Sequence, residues 1–276
     1  MSYQNEKLMD IAQEMRRNIV SMIGEAGSGH PGGSLSSADI VTALYFKLMN
    51  IKPQEPEWAE RDRFVLSKGH AAPVLYSALA MREYFDIKEL KTLRKLGSPL
   101  QGHPDMKKLA GVEMSTGSLG QGLSTAVGMA LAGKIDNKEY YTYSILGDGE
   151  VQEGQIWEAA MFASHNKLGK LIVFLDFNGL QIDGKVQDVM GIDPLPEKWS
   201  SFGWHVLEIN GHDFEQICNA VNQAKLVEDK PSIIIASTIK GKGVSFMENE
   251  AGWHGNAPST EQVTQALNEL GGKKHE

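Results

Sequence analysis

Two short stretches of this chain place an acid and an amide where glycine frees the backbone. An apolar run ending at Leu146 leads into Gly147-Asp148-Gly149, and a second, ending at Asp176, leads into Phe177-Asn178-Gly179. The glycines flanking Asp148 allow a sharp turn and a close approach to a ligand. If the two runs are strands of one right-handed βαβ unit, both turns lie at the carboxyl edge of the sheet. Asp148 and Asn178 then face the same point. A carboxylate oxygen beside an amide oxygen suits a hard cation such as Mg²⁺ (or Ca²⁺ or Mn²⁺), with phosphate oxygens filling the shell. A helix after Gly149 would offer free N–H groups to the same anion. Alone, Gly147-Asp148-Gly149 is an ordinary turn; Asn178 at the next strand end gives it chemistry.

Eight histidines are present, and four of them sit beside glycine: His30 in Ser28-Gly29-His30-Pro31-Gly32, His70 in Ser67-Lys68-Gly69-His70, His103 in Gln101-Gly102-His103-Pro104, and His254 in Trp253-His254-Gly255. A single loop histidine is ordinarily surface. Four at turns that can face one cleft suggest proton traffic, because imidazole donates, accepts and titrates near neutrality. They could serve hydroxyl groups and a carbonyl that becomes an alkoxide. His165, His205, His212 and His275 fit no such pattern and read as structural or surface residues.

These loops need a frame. Leu8, Ile11, Met15, Ile19 and Met22 recur at three- and four-residue steps, which predicts a first helix ending at Gly24. Ser36 or Ser37 is expected to cap the next, which carries Ile40, Val41, Leu44 and Leu48. Residues 63–67 read as a short strand, and Lys68-Gly69-His70 turns it into a helix from about Ala72 to Tyr84. A small-residue helix is expected over 123–132. Beyond it, strands at 141–146, 171–176, 205–209 and 232–237 alternate with helices at 155–166, 213–227 and 260–270. That alternation predicts an α/β fold: a mostly parallel sheet with helices on both faces. No repeat or linker divides the chain, so residues 1–276 are expected to form a single domain. The tail from Gly271 to Glu276 is expected to fray.

Composition narrows the functional classes. With 41% hydrophobic and 22% charged residues, the chain looks like an ordinary globular protein. A net charge of −8 argues against a general nucleic-acid surface, though not against a local basic patch for a phosphorylated small molecule. No apolar run approaches the ~18 residues of a membrane span, and Met1–Glu6 lack a signal-peptide layout. One cysteine, Cys218, permits neither an internal disulfide nor a multi-cysteine zinc site. A cytoplasmic protein, with no membrane and no nucleic-acid partner, is the expectation.

Gly147-Asp148-Gly149 through Asn178 resembles the thiamine diphosphate motif. The wider run Gly147-Asp148-Gly149-Glu150-Val151-Gln152-Glu153-Gly154-Gln155-Ile156-Trp157-Glu158-Ala159 is similar to its transketolase form. The resemblance covers nearly the whole chain and implies a thiamine-diphosphate-binding fold. It implies metal ligation by Asp148, Asn178 and the Leu180 carbonyl. It places Gly149, Glu153, Asn178, His70 and His254 at the cofactor, with Gly117, Ser118 and Leu119 in a loop against its rings. Many relatives have proline where Ser118 stands, a departure that affects stiffness more than chemistry. His30 and His254 are implied near the substrate carbonyl and hydroxyls, and His103 at the donor's hydroxyls. Glu153 and Glu158 match acids of a carboxylate network between the paired active sites, although solvated helix acids would look the same. Lys240-Gly241-Lys242-Gly243 supplies positive charge near the diphosphate or is a solvated lysine turn.

The family moves a two-carbon ketol unit from a ketose to an aldose, in pentose-phosphate-type sugar exchange, with the cofactor as electron sink. Its activating glutamate belongs to a second, pyrimidine-binding domain, and the chain ends at Glu276. The expectation is therefore a split transketolase: this N-terminal subunit plus a separately encoded partner carrying the pyrimidine-binding and C-terminal domains. Two of each would form a heterotetramer acting on sugars or sugar phosphates. Rivals are a split transketolase for an unusual sugar, a deoxyxylulose-phosphate-synthase-like enzyme, the α subunit of a pyruvate-type dehydrogenase, and a non-catalytic cofactor-binding subunit. Gly27-Ser28-Gly29-His30-Pro31-Gly32 also satisfies the dinucleotide pattern G-x-G-x-x-G. It follows a helix rather than a strand, and Pro31 is expected to disrupt the turn into a helix.

Overall fold

Aliphatic runs at five places form one sheet. In the computed structural model, which describes residues 3–271, the first helices are α1 (Tyr3–Ala26), α2 (Pro31–Ser36) and α3 (Ala38–Ala43). Then come β1 (Arg63–Leu66), α4 (Ala72–Met81), α5 (Gln121–Ile135), β2 (Thr142–Gly147), α6 (Gly154–His165) and β3 (Leu171–Phe177). A two-stranded hairpin, β4 (Leu180–Gln181) with β5 (Gly184–Lys185), precedes α7 (Val186–Met190) and α8 (Leu195–Ser201). The chain continues through β6 (His205–Asn210), α9 (Phe214–Lys225), β7 (Ser232–Ser237) and α10 (Thr260–Glu269).

The main sheet has the order β1-β2-β3-β7-β6, and every pair in it is parallel. Side chains alternate across a strand, so each strand feeds two cores. Phe64, Ile145, Phe174 and Ile234 face α1, α3, α4 and α9. Val65, Leu146, Val173 and Ile235 face α5, α6 and α8. Burying each such side chain contributes about 1.5–3 kcal/mol. The carboxyl ends of β1, β2, β3 and β7 therefore lie side by side, and the loops that leave them form one rim.

The expected α/β sheet is present, with several boundaries moved. The first helix runs through Gly24 and stops at Ala26, with Gly27 following at φ +61°. Gly24 is where α10 crosses: an added Cβ would lie 2.3 Å from Val263. Neither Ser36 nor Ser37 caps α3 with its side chain: the Ser37 hydroxyl donates to the Gly33 carbonyl and the Ser36 hydroxyl to Asp176. The helix carrying Ile40 gives way to a π turn over Leu44–Leu48. The helix expected to reach Tyr84 ends at Met81. Pro31 does not disrupt a helix start. It opens α2, because proline lacks only an N–H that the first turn leaves unused. The β4–β5 hairpin and α8 are too short and proline-broken to show in the periodicity. His275 and the tail beyond Gly271 lie outside the described residues.

Candidate functional site

The rim encloses a cavity of about 340 Å³, lined among others by Lys68, His70, Leu119, Asp148, Asn178 and Lys240. Asp148 follows β2 and is 2% exposed. Its Oδ1 accepts from the Gly149 N–H at 2.8 Å and its Oδ2 from the Gly179 N–H at 2.6 Å, so one carboxylate ties the β2 turn to the β3 turn. Burial, reinforced by the Asp176 carboxylate, pushes Asp148 up to about 6. A buried acid in that state needs positive charge beside it.

The neighbouring oxygens fit that need. Asn178 donates through Nδ2 to Asp176 at 3.3 Å; its Oδ1 accepts from the Leu180 N–H at 3.2 Å and keeps a second lone pair for a cation. The Leu180 carbonyl accepts from Lys240 Nζ at 3.1 Å. Carboxylate, amide and carbonyl oxygens make the donor set of a hard divalent cation. Among the described residues no three His, Cys, Asp or Glu side chains cluster as an alternative metal site. Gly149 lines the cavity and packs against Gln181, whose Oε1 would lie 2.8 Å from an added Cβ.

The four glycine-flanked histidines converge. The His30 ring centroid lies 5.3 Å from His70, 6.3 Å from His103 and 5.6 Å from His254, and His70 stacks on His254 at 5.0 Å. His30 Nδ1 is buried without a partner. His254 Nδ1 faces Lys240 Nζ at 3.1 Å; accepting there, the ring must carry its proton on Nε2. One expectation needs correction. Burial, with Arg94 and Lys240 adding repulsion, brings His30 and His254 down to about 4. His70 falls well below its ordinary value and His103 falls too, burial leading in both. In this state the cluster is neutral at pH 7 rather than poised to titrate there.

The loop Gly117–Gly122 closes one wall. Gly117, at φ +151°, packs under His103, where a Cβ would touch the ring at 2.9 Å. Leu119 lines the cavity, while Ser118 beside it is exposed. Glu153 lines the cavity edge and is exposed, and Glu158 follows on α6. The free helix N-terminus expected straight after Gly149 is instead a 3-10 turn, Gly149–Gln152, with α6 starting at Gly154. The two turn lysines separate: Lys240 is 2% exposed in the cleft, and Lys242 pairs with Glu248 at 3.3 Å.

Sequence reasoning missed three residues that hold this geometry. Glu150 is 2% exposed and accepts from the Ser67 hydroxyl and from the N–H groups of Gly120 and Gly147, both at 3.0 Å. It pins the Gly117–Gly122 loop to two strand ends. Asp176 is fully buried and accepts from Lys68 Nζ, the Ser36 hydroxyl and the Thr238 hydroxyl. Burial pushes its pKa up, but Lys68 and those hydrogen bonds outweigh burial and hold it below the usual range. Lys68 also donates to the Gly33 carbonyl at 2.7 Å. Their only sequence signal is position beside a strand end. Of the other histidines, His212 bridges Asp39 and the Ile239 N–H, and His205 lies beside the Ser232 hydroxyl at 3.2 Å.

Known proteins resemble this chain in sequence and fold. A family model described as the transketolase thiamine diphosphate binding domain matches residues 8–276. The chain is 51% identical over 266 residues to the 6-deoxy-6-sulfo-D-fructose transketolase subunit SqwG of Clostridium sp. (strain MSTE9), covering 96% of each chain. It is 42% identical to a subunit of the apulose-4-phosphate transketolase of Phocaeicola vulgatus, covering 94% of this chain and 92% of that one. Among solved structures, the transketolase of Campylobacter jejuni superposes with a TM-score of 0.91 at 37% identity. That match covers 98% of this chain but 43% of the other, so the chain spans less than half the length of that enzyme.

Proposed function

This chain belongs to the transketolase family, and from that membership we propose that it is the diphosphate-binding subunit of a transketolase that works with a separately encoded partner. The observation that carries the reading is the convergence of the Asp148, Asn178 and Leu180 residues with His70 and His254 around one cavity, with the His30 ring beside both histidines and His103 next to it. Two relatives named as subunits match along nearly their whole length, which supports a divided enzyme. We take residues 1–276 as a single cofactor-binding domain, assembled two-and-two with the partner in the cytoplasm. The partner would supply the pyrimidine-binding and C-terminal domains.

Asp148, Asn178 and the Leu180 carbonyl would hold Mg²⁺ or a similar ion. Lys240, His70 and His254 would meet the diphosphate, with Gly149 and Glu153 at its edge and Gly117–Leu119 against the rings. Thiamine diphosphate, when bound, supplies the electron sink for cleaving a ketose and passing its two-carbon ketol unit to an aldose. The protein's part is positioning and proton management. His254 presents an Nε2–H donor, and His30 has a free Nδ1; neutral imidazoles there steady a developing alkoxide by hydrogen bonding. Added phosphate charge would raise the proton affinity of His70 and His254 toward neutrality. His103, at the exposed side, is placed to meet donor hydroxyls. Glu153 and Glu158 are free to join a carboxylate network across the assembly. The two named relatives act on a sulfonated ketose and a ketose phosphate, so we favour a sugar donor bearing an anionic group.

Co-expression with the partner frame, followed by a screen of ketose–aldose pairs with thiamine diphosphate and Mg²⁺, tests the proposal. The assembled complex should turn over and this chain alone should not; robust turnover without a partner would overturn the divided enzyme. Asp148→Ala should abolish cofactor-dependent activity of the complex, and near-normal turnover would remove the metal clamp.

A further inference from the structure

Lys240 brings a buried charge to the cleft, and an ammonium on a flexible four-carbon stem points only as well as its backbone is held. Its Nζ meets the Leu180 carbonyl and His254 Nδ1, both at 3.1 Å. The stem passes close to Gly32, where an added Cβ would lie 2.9 Å from Cγ, so the fit there is tight. The backbone beneath it is the turn 239–242, which leaves β7 and contains Gly241 at φ +78°. Glycine gives such a turn conformational freedom that other contacts must remove. Those contacts come from outside the cleft.

Three side chains grip the turn at both ends. His212 Nε2 accepts from the Ile239 N–H at 2.8 Å, immediately before Lys240. Arg16 Nε donates to the Lys242 carbonyl at 3.1 Å, two residues after it. Asp39 joins the two: it accepts from His212 Nδ1 at 2.7 Å and from both Nη atoms of Arg16. Because Nε2 accepts, the ring's proton sits on Nδ1, and Asp39 fixes that tautomer. Burial pushes Asp39 up, but Arg16 and the His212 bond outweigh it and hold the carboxylate below its ordinary value. All three side chains are largely buried, and they come from α1, α3 and the turn after β6. Gly211 seats that turn against the exit of β7, where an added Cβ would lie 2.5 Å from Thr238 Cγ2. A buried ion pair adds little stability over apolar packing of the same shape. Here it fixes the position of a turn.

We propose that His212 is a positioning residue for the cofactor: with Arg16 and Asp39 it clamps the 239–242 turn from outside the cleft and so fixes where Lys240 presents its ammonium. The proposal rests on the transketolase reading for what that ammonium meets, the diphosphate of thiamine diphosphate. His212 touches neither cofactor nor sugar. It acts through one backbone N–H, as groups behind a binding site orient the ones in front.

The test uses the complex with its partner. His212→Asn keeps a donor for Asp39 near the place of Nδ1 but leaves the Ile239 N–H without its acceptor. His212→Gln sets an amide oxygen near the place of Nε2 and gives that acceptor back. In equilibrium dialysis with thiamine diphosphate and Mg²⁺, His212→Asn should raise the dissociation constant about tenfold, and His212→Gln less than about threefold. In a Lys240→Met background, His212→Asn should add less than about twofold, because a residue that acts through Lys240 has nothing left to place. Hydrogen exchange reads the turn without cofactor. Peptides spanning 238–243 should exchange about tenfold faster in His212→Asn than in wild type, while peptides from β7 should not change. Equal losses in the two His212 variants, or additive losses in the Lys240→Met background, would overturn the proposal. Faster exchange throughout β7 in both variants would make His212 general scaffold and overturn it as well. An intact exchange contrast in a complex whose wild type retains no thiamine diphosphate would instead uphold the clamp and overturn the transketolase reading.

Discussion

Two buried lysines stand on loops of the same rim and behave as opposites. Lys68, after β1, is closed on all sides: it donates to Asp176 and to the Gly33 carbonyl, and Asp176 is satisfied in turn by Ser36 and Thr238. Among the described residues Lys240, after β7, hydrogen-bonds a carbonyl and an imidazole but no carboxylate, and the acid nearest in role, Asp148, accepts from backbone N–H groups. The carboxylates record the contrast, one held below its ordinary range and the other pushed up to about 6. A completed ion pair is scaffold. A cation and an anion kept close but unjoined are what a charged ligand would complete.

Breaking the completed pair should have the largest effect. Lys68→Met leaves Asp176 buried and uncompensated, and should cost about 3–5 kcal/mol in denaturant unfolding of the cofactor-free protein. A loss below about 1 kcal/mol would erase the contrast. Lys240→Met should do the reverse. Burial lowers Lys240 from 10.5 to about 8, so the folded protein disfavours the charged lysine at neutral pH, and that penalty fades only as pH rises past 8. The variant should therefore be no less stable than wild type, by up to about 3 kcal/mol in its favour, yet retain thiamine diphosphate more weakly in equilibrium dialysis.

The smallest effect is in the acid limb of stability. His30 and His254 are depressed from 6.5 to about 4, so between those values the unfolded chain binds protons that the folded chain refuses. Stability of the metal-free protein should fall as pH drops through that window. Asp148, raised from 3.8 to about 6, binds its proton earlier in the folded state and partly offsets the fall. Asp148→Asn should steepen the limb in urea titrations between about pH 6 and 4; an unchanged slope would contradict the buried acid.

Much of this is legible in sequence because strands and turns leave local signatures. Short apolar runs mark all five strands of the main sheet, and glycines mark the Asp148 turn and each cleft histidine. What escapes is decided by burial and distance. Glu150 looks like any acid in a helical first turn until three loops close over it. Lys68 and Asp176 lie 108 residues apart and name each other only after folding. The histidines' neutrality depends on burial and on cations that no local pattern reveals. Reading Pro31 as a breaker overlooks that the first turn of a helix accepts proline.

The Asp176 carboxylate has a consequence for how the site comes into being. Its partners Ser36, Lys68 and Thr238 are 140, 108 and 62 residues away along the chain. Each contact must close a long loop, and the entropy of closure is recovered only when all arrive. The cleft should therefore form in one late, cooperative step of folding, and during synthesis it stays unbuilt until β7 has emerged. A chain interrupted before Thr238 carries three of the four cleft histidines, yet lacks the keystone that gathers them.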